Sequence, residues 1–416
     1  IVKARLIDFT TPKKMAYDID FSAKNLETGK WIYQDSVLGR INGNIVAKGS
    51  NGFDMKNNIM KIVTDIQSFK FHNNIINNIQ LNAALNRGLI EVAGSIKDEI
   101  LNISFNGNAN IHNQYPTADA ILNIHNADLW VLGVSKDILS ITAFSKIKLL
   151  NTTPQNLNAY IAIDSAVIRK GAEQINIDSA VAKALVRNDT TFITLVSPFV
   201  DVNVRSTVYY NEITGLVQQV IQQFMPSKKD KQVQNNQVVR NGTVTADVII
   251  KPDNIYSSFI KNISLDEPIV MHANITNTQR DSALKLLFDA PGLQMNTLRI
   301  GNLHGNALGK NDSLYLIASA DTVQQGNILL YNILVNGGFS KNNFVVGIIT
   351  QDENKKDQYK ISIAGYPNNL RGYDIKLNND LMLNHQAWTV NPQNIIRTSG
   401  TGFNIQNFDI QNRQQE

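Results

Sequence analysis

Four carboxylates, Asp119, Asp128, Asp137 and Asp164, recur through the middle of the chain. Two of them held across a sugar bond would suffice for glycoside hydrolysis, one as acid and one as base or nucleophile. Nothing in the spacing gathers them, although a pair formed by the fold stays open. The six histidines are His72, His112, His125, His272, His304 and His385. No two sit at metal-ligand spacing and none belongs to an HExxH helix, so each reads as a surface or loop residue. Ser197 before Pro198 lacks the glycines of a nucleophile elbow. Gly400-Thr401-Gly402 lacks the rest of a dinucleotide fingerprint and reads as a hairpin signal. Asn262-Ile263-Ser264 fits a glycosylation sequon, but 53 asparagines generate such triplets by chance. Lys228-Lys229-Asp230-Lys231 reads as a solvated loop, with contact to anionic headgroups as the alternative. Cysteine is absent, which removes disulfides, zinc–thiolate centres and thiol nucleophiles together. No catalytic constellation forms, so the expectation is a protein that is not an enzyme and needs no cofactor or metal.

The elements that would position any site are mostly strands, with one clear helix. From Glu212 the apolar residues fall at Ile213, Leu216, Val217, Val220, Ile221 and Phe224. That spacing is a single stripe on a helix over 212–225. Gln218, Gln219, Gln222 and Gln223 take the other face. Asn211 is placed to accept from the first free amides, Glu212 suits the positive end, and Pro226 stops the helix. Such a helix either plugs or gates a trough, or simply caps an open stretch of core. A second short helix is expected near 255–263, with Ile255, Phe259, Ile260 and Ile263 on one side.

Elsewhere short strands alternate with polar turns. Residues 16–21, 79–83, 89–93 and 101–105 are strands, and Asn86-Arg87-Gly88 is a turn. Leu129 and Leu132 mark a helical turn. Runs at 160–163, 174–177, 191–196 and 199–204 precede the helix. After it, 243–250 alternates, and from 281 onward a meander is plain. The 416 residues therefore hold on the order of thirty strands. As one sheet, at ~4.8 Å per strand, they would extend on the order of 150 Å. Three sandwiches would need composition breaks about every 100 residues. One break is visible, the polar stretch 226–240. The reading is therefore all-β: 1–225 as the first part of a long, mostly antiparallel sheet, 226–240 as a loop, and 241–416 as the second part.

Net charge is +4, too weak for a nucleic-acid binder of this size. No apolar run is long enough to span a bilayer as a helix, and no signal-peptide pattern opens the chain. Ile1 in place of Met points to a piece of a longer or processed chain, with any anchor outside it.

Alternation puts aliphatics on one side of the sheet and Asn, Asp, Lys, Ser and Thr on the other. The apolar side would carry Tyr17, Ile19 and Phe21; Leu122 and Ile124; Ile161 and Ile163; Val200, Val202 and Val204; Val244, Ala246 and Val248; Leu284, Leu286 and Phe288; Leu314 and Leu316; Ile361 and Ile363; and Ile375 and Leu377. A sheet with one apolar face must cover it, with a second layer or by curling along its length. Aromatics are only 7%, so bulky filling is scarce. Such an interior suits lipid chains, and an ordinary aliphatic sandwich core gives the same pattern.

Residues 119–226 resemble the TamB-like members of the AsmA superfamily. The resemblance is carried by the run Ala127-Asp128-Leu129-Trp130-Val131-Leu132-Gly133, by Ile193-Thr194-Leu195-Val196-Ser197-Pro198-Phe199-Val200-Asp201-Val202, and by the Gln-rich helix ending at Met225-Pro226. Residues 381–411 also fit, with Trp388, then Asn391-Pro392-Gln393-Asn394, then Phe403 to Ile410. The resemblance implies a long sheet folded lengthwise into a trough (a β-taco), a periplasmic location and an inner-membrane anchor absent from this chain. It also implies an outer-membrane BamA-like barrel partner. Its implied activity is phospholipid movement between inner and outer membranes, with outer-membrane protein assembly as the alternative. A structural or glycan-binding β-protein also stays open; it would need stacked exposed aromatics, and only Trp31, Trp130 and Trp388 are tryptophans.

Overall fold

The computed structural model describes residues 1–8, 10–11, 13–31, 33–34, 37–52, 54–224, 241–253, 255–256, 263–278, 281–370, 372–400 and 402–412. The fold is the expected one, mainly β: the described residues form 29 strands in antiparallel pairings and one amphipathic helix. The polar stretch 226–240 and Pro226 lie outside the described residues. So does most of the expected helix at 255–263, and Ile263 instead opens a strand.

The chain divides into two units, Ile1–Arg187 with Ile193–Pro198, and Asn188–Phe192 with Phe199–Glu416. The first holds β1 (Val2–Ile7), β2 (Ala16–Glu27), the short α1 (Thr28–Trp31), β3 (Leu38–Ser50), β4 (Ile59–Phe71), β5 (Asn74–Asn86) and β6 (Leu89–Lys97). It continues with β7 (Leu101–Asn110), β8 (Thr117–Asp128), β9 (Leu139–Asn151), β10 (Asn158–Lys170), β11 (Glu173–Ile177) and β12 (Ala180–Arg187). Strand β13 (Thr190–Val196) falls at the division. The second unit holds β14 (Val200–Ser206), α2 (Tyr210–Phe224), β15 (Gly242–Ile250), β16 (Ile263–Leu265), β17 (Ile269–Asn277) and β18 (Ser282–Met295). Its meander runs on through β19 (Leu298–Lys310), β20 (Ser313–Gln325), β21 (Ile328–Ser340), β22 (Asn343–Gln351) and β23 (Asp357–Pro367). The last strands are β24 (Tyr373–Leu377), β25 (Leu381–Leu383), β26 (Gln386–Val390), β27 (Ile395–Thr398), β28 (Phe403–Gln406) and β29 (Ile410–Gln411).

Turn chemistry explains the tight connections. Arg87 and Gly88 both take positive φ, at 47° and 86°, which is what a two-residue hairpin between β5 and β6 requires. The expected helical turn after β8 is present: the Leu132 amide donates to Asp128 O at 3.0 Å, and the Val131 amide to the Asp128 carboxylate at 2.9 Å.

Strand β4 shows what kind of sheet this is. Met60, Ile62, Thr64 and Ile66 are half-buried, while Ile59, Lys61, Val63 and Asp65 between them are exposed. Ile59 and Val63 are as apolar as Ile62, so side-chain type does not produce the difference. A sheet curled toward the Ile62 side does.

Helix α2 is built as its stripe requires, but it starts two residues earlier than 212. Asn211 is not its cap. The Glu212 carboxylate accepts from the Tyr209 amide at 3.2 Å instead. Just before it, the Val208 amide donates to Ser206 Oγ at 3.1 Å and Thr191 Oγ donates to Val208 O at 2.9 Å. These buried bonds turn the chain out of β14 and into the helix.

Candidate functional site

In an antiparallel ladder, directly opposed residues share a face. Following the register from strand to strand therefore tests whether the apolar positions join up. In the first unit one row runs Ile19–Ala47–Ile62–Ala83–Val92–Gly107–Ala120–Ile147–Ile161, from β2 to β10. The row beside it runs Phe21–Ile45–Thr64–Leu81–Gly94–Phe105–Leu122–Ser145–Ile163. Tyr17 lies in a third row with Gly49, Met60 and Leu85, and Ile124 in a fourth with Ile103 and Ala143. Each full row is on the order of 40 Å long at the usual strand spacing.

The second unit repeats the arrangement. One row runs Val204–Ala246–Ala273–Leu286–Ala307–Leu316–Gly337–Val346–Ile363–Leu377. A second runs Val202–Val248–Met271–Phe288–Gly305–Ala318–Val335–Ile348–Ile361. A third joins Val244, Ile275, Leu284, Gly309, Leu314, Phe339, Phe344, Gly365 and Ile375. Val200 opposes Ile250 on the same side.

Helix α2 covers the third row and reaches Val204 at the end of the first. Leu216 and Val220 are fully buried and Phe224 nearly so, packed with Val208, Val244 and Ile275 and flanked by Val204, Ile213, Val217, Leu284 and Leu314. Those partners spread from β14 to β20, about 24 Å at the usual spacing, and a helix of 15 residues is about 22 Å long. The helix therefore runs across the strands, close to their ends. Ile221 stays 43% exposed on its flank. The other rows are not sealed: Ile161, Ile348 and Ile361 keep 44, 41 and 37% of their surface in water.

The opposite face of the first unit mixes charged residues with apolar ones, since Ile59, Val63, Leu89 and Ile121 stand exposed on it. Asp18, Lys48, Lys61, Glu91, Asp119 and Lys148 lie along it, with Lys48–Asp18 at 3.1 Å and Lys146–Asp164 at 2.7 Å. These exposed pairs set solubility more than stability. The expectation of a wholly polar outer face therefore fails in the first unit, and it fails in the second unit as well. Leu308, Tyr315, Ile317 and Val345 stand there 45, 64, 52 and 49% exposed. The same strands alternate Leu286 and Leu308 onto opposite sides of their ladder, so both sides receive apolar residues. Lys285 is on this outer face, opposite Leu308.

The chemistry-bearing residues are not gathered. Asp119 and Asp164 are tied to Lys148 and Lys146, and Asp137 to Lys170. His272 pairs with Asp247 and His304 with Asp289, both on outer-face positions of the second unit. Among the described residues no group of three or more histidines and carboxylates could hold a metal ion. Trp130 is half-exposed, after β8.

One ion pair is a structural clamp. Arg397 holds Asp374 through two bonds of 2.9 and 2.7 Å, and Asn368 donates to the same carboxylate. The Arg397 guanidinium, then Asn368, lower the Asp374 carboxyl from 3.8 to about 2. Because the folded value is depressed, this stabilisation is present above pH 3.8 and is lost as pH falls toward 2. Asp374→Asn is expected to lower the urea midpoint of the second unit at neutral pH and to converge with wild type near pH 2.

The register shows one feature the sequence reading did not find. Inner-face aromatics lie over glycines of the next strand: Tyr17 over Gly49, Phe105 over Gly94, Phe288 over Gly305 and Phe344 over Gly365. Strand β12 was also missed, because Ala-Val-Ala-Lys-Ala-Leu-Val-Arg does not alternate.

A mainly antiparallel β-protein with a continuous, half-open aliphatic face in each unit is the class these features define. No family model, curated protein or solved structure matches the chain.

Proposed function

We propose that the chain is a hydrophobic-groove conduit that carries phospholipid between the inner and outer bacterial membranes. The observation that carries the reading is the register that joins partly exposed, mostly apolar positions from strand to strand in each unit. Moving a lipid with about thirty methylenes through water costs on the order of 25 kcal/mol. A surface that keeps the tails against aliphatic side chains while the headgroup stays wet lowers that barrier without any reaction step. The resemblance to TamB-like proteins supports the same reading. On it the chain works in the periplasm, between an inner-membrane anchor outside this sequence and a BamA-like outer-membrane barrel.

Mass spectrometry of lipid retained by the purified chain tests this. Phospholipid is expected at one or more molecules per chain. Retention no higher than that of an ordinary β-sandwich of similar size overturns the reading.

A further inference from the structure

We infer that the ring-over-glycine pairs set the depth of the apolar furrow, so that it accepts unbranched acyl chains and rejects bulkier apolar groups; this rests on the conduit reading above. Strand side chains stand roughly perpendicular to their sheet. An upright Phe would therefore project into the furrow by its full length. Here it does not. A Cβ added to Gly305 would meet the Phe288 ring at 1.8 Å, and one added to Gly365 would meet Phe344 at 2.2 Å. The same construction gives 2.3 Å from Gly49 to Tyr17 and 2.6 Å from Gly94 to Phe105. Each ring therefore occupies the space above a residue that has no side chain. A ring leaned over that space adds about one carbon contact layer, ~3.5 Å, to the floor.

The neighbours keep that level. Beyond Gly305 the row continues with Ala318, and beyond Gly94 with Leu81. At these four pairs a ring fills the space that its glycine leaves, so the floor carries no pit there. The arrangement recurs in both units, on β2/β3, β6/β7, β18/β19 and β22/β23. A shallow strip lined by methyl groups and leaned-over rings suits a linear chain. A branched or fused-ring group needs pits that the rings have filled.

The test uses the full chain and vesicles of phosphatidylethanolamine and phosphatidylglycerol. One set carries straight-chain acyl groups and the other methyl-branched phytanoyl groups, and extracted lipid is counted by mass spectrometry. Gly305→Val should push the Phe288 ring upright and reduce straight-chain extraction about tenfold. Adding Phe288→Ala to it removes the ring, lets the introduced valine side chain fill its place, and should restore extraction. Phe288→Ala alone opens a pit and should raise the branched-to-straight ratio severalfold.

A folded Gly305→Val variant that extracts like wild type overturns the inference and leaves the conduit reading standing. If Gly305→Val does not fold, Phe288→Ala decides alone, and an unchanged branched-to-straight ratio overturns the inference. A wild-type chain that extracts neither lipid overturns both.

Discussion

Leu286→Asp is expected to cut the phospholipid retained by the purified chain at least about tenfold while leaving its β-sheet circular dichroism in place. Leu286 sits in the middle of its row, between Ala273 and Ala307, and is half-buried rather than sealed. With the furrow empty, the new carboxylate keeps enough water to stay ionised. A lipid chain laid over it would strip that water, and burying an uncompensated carboxylate costs several kcal/mol. Each 1.4 kcal/mol is a factor of ten in occupancy. Leu316→Arg, in the same row beside Ala307 and Gly337, should behave alike. Lys285 is the control. It is one residue from Leu286 but on the outer face, and Lys285→Asp should change neither retention nor stability. If Leu286→Asp instead unfolds the second unit, the face is a closed core and the conduit reading fails.

How far this face could be read without coordinates depends on where alternation runs undisturbed. In β8 and β18 alternation places Leu122 with Ile124, and Leu284 with Leu286 and Phe288, on one face, while Ile121 and Leu287 take the other; β4, with Ile59 and Val63 on the side away from Ile62, does not alternate cleanly. The stripe of α2 was equally legible, because six apolar residues at helical spacing have no strand reading. Register was not, since nothing local tells Ile62 that it will face Ala83. Bulges matter for the same reason. The ladder shifts between Ala23 and Leu26, where Asn25 takes a φ of 54°. Strict alternation would have turned Leu26 to the outside; the extra residue brings it back opposite Ile41. Shifts between Ile163 and Ser165, and between Tyr331 and Leu334, change the phase of β10 and β21 in the same way. The glycines opposite aromatics were present in the sequence but meaningless until pairing identified their partners. The catalytic candidates dissolved for a related reason: Asp119, Asp137 and Asp164 each found a lysine, not one another.

Leu216→Ala is expected to destabilise the second unit by about 2–5 kcal/mol, a large part of the 5–15 kcal/mol typical of a whole domain. Leu216 is fully buried where α2 meets Val244 and Ile275, so truncation leaves a cavity that the strands beneath cannot fill. Val220→Asp should do more, because it places a carboxylate at a site with no water and no cationic partner in the surrounding cluster. Either change should release the helix from the row it covers. Amides of β15 and β17 should then exchange faster, while those of β4 and β5 in the first unit keep their protection. Gln219→Ala, on the solvated side of the helix, should stay within about 0.5 kcal/mol of wild type. The same variants separate the two roles open to this helix. As a cap it stabilises the rim, and losing it lowers stability without raising lipid uptake. As a gate it restricts the furrow, and Val220→Asp would raise the initial rate of extraction from vesicles. The buried contact with Val244, Ile275, Leu284 and Leu314, all in one row, favours the cap. The expected result is therefore a loss of protection in β15 and β17 with no gain in extraction rate.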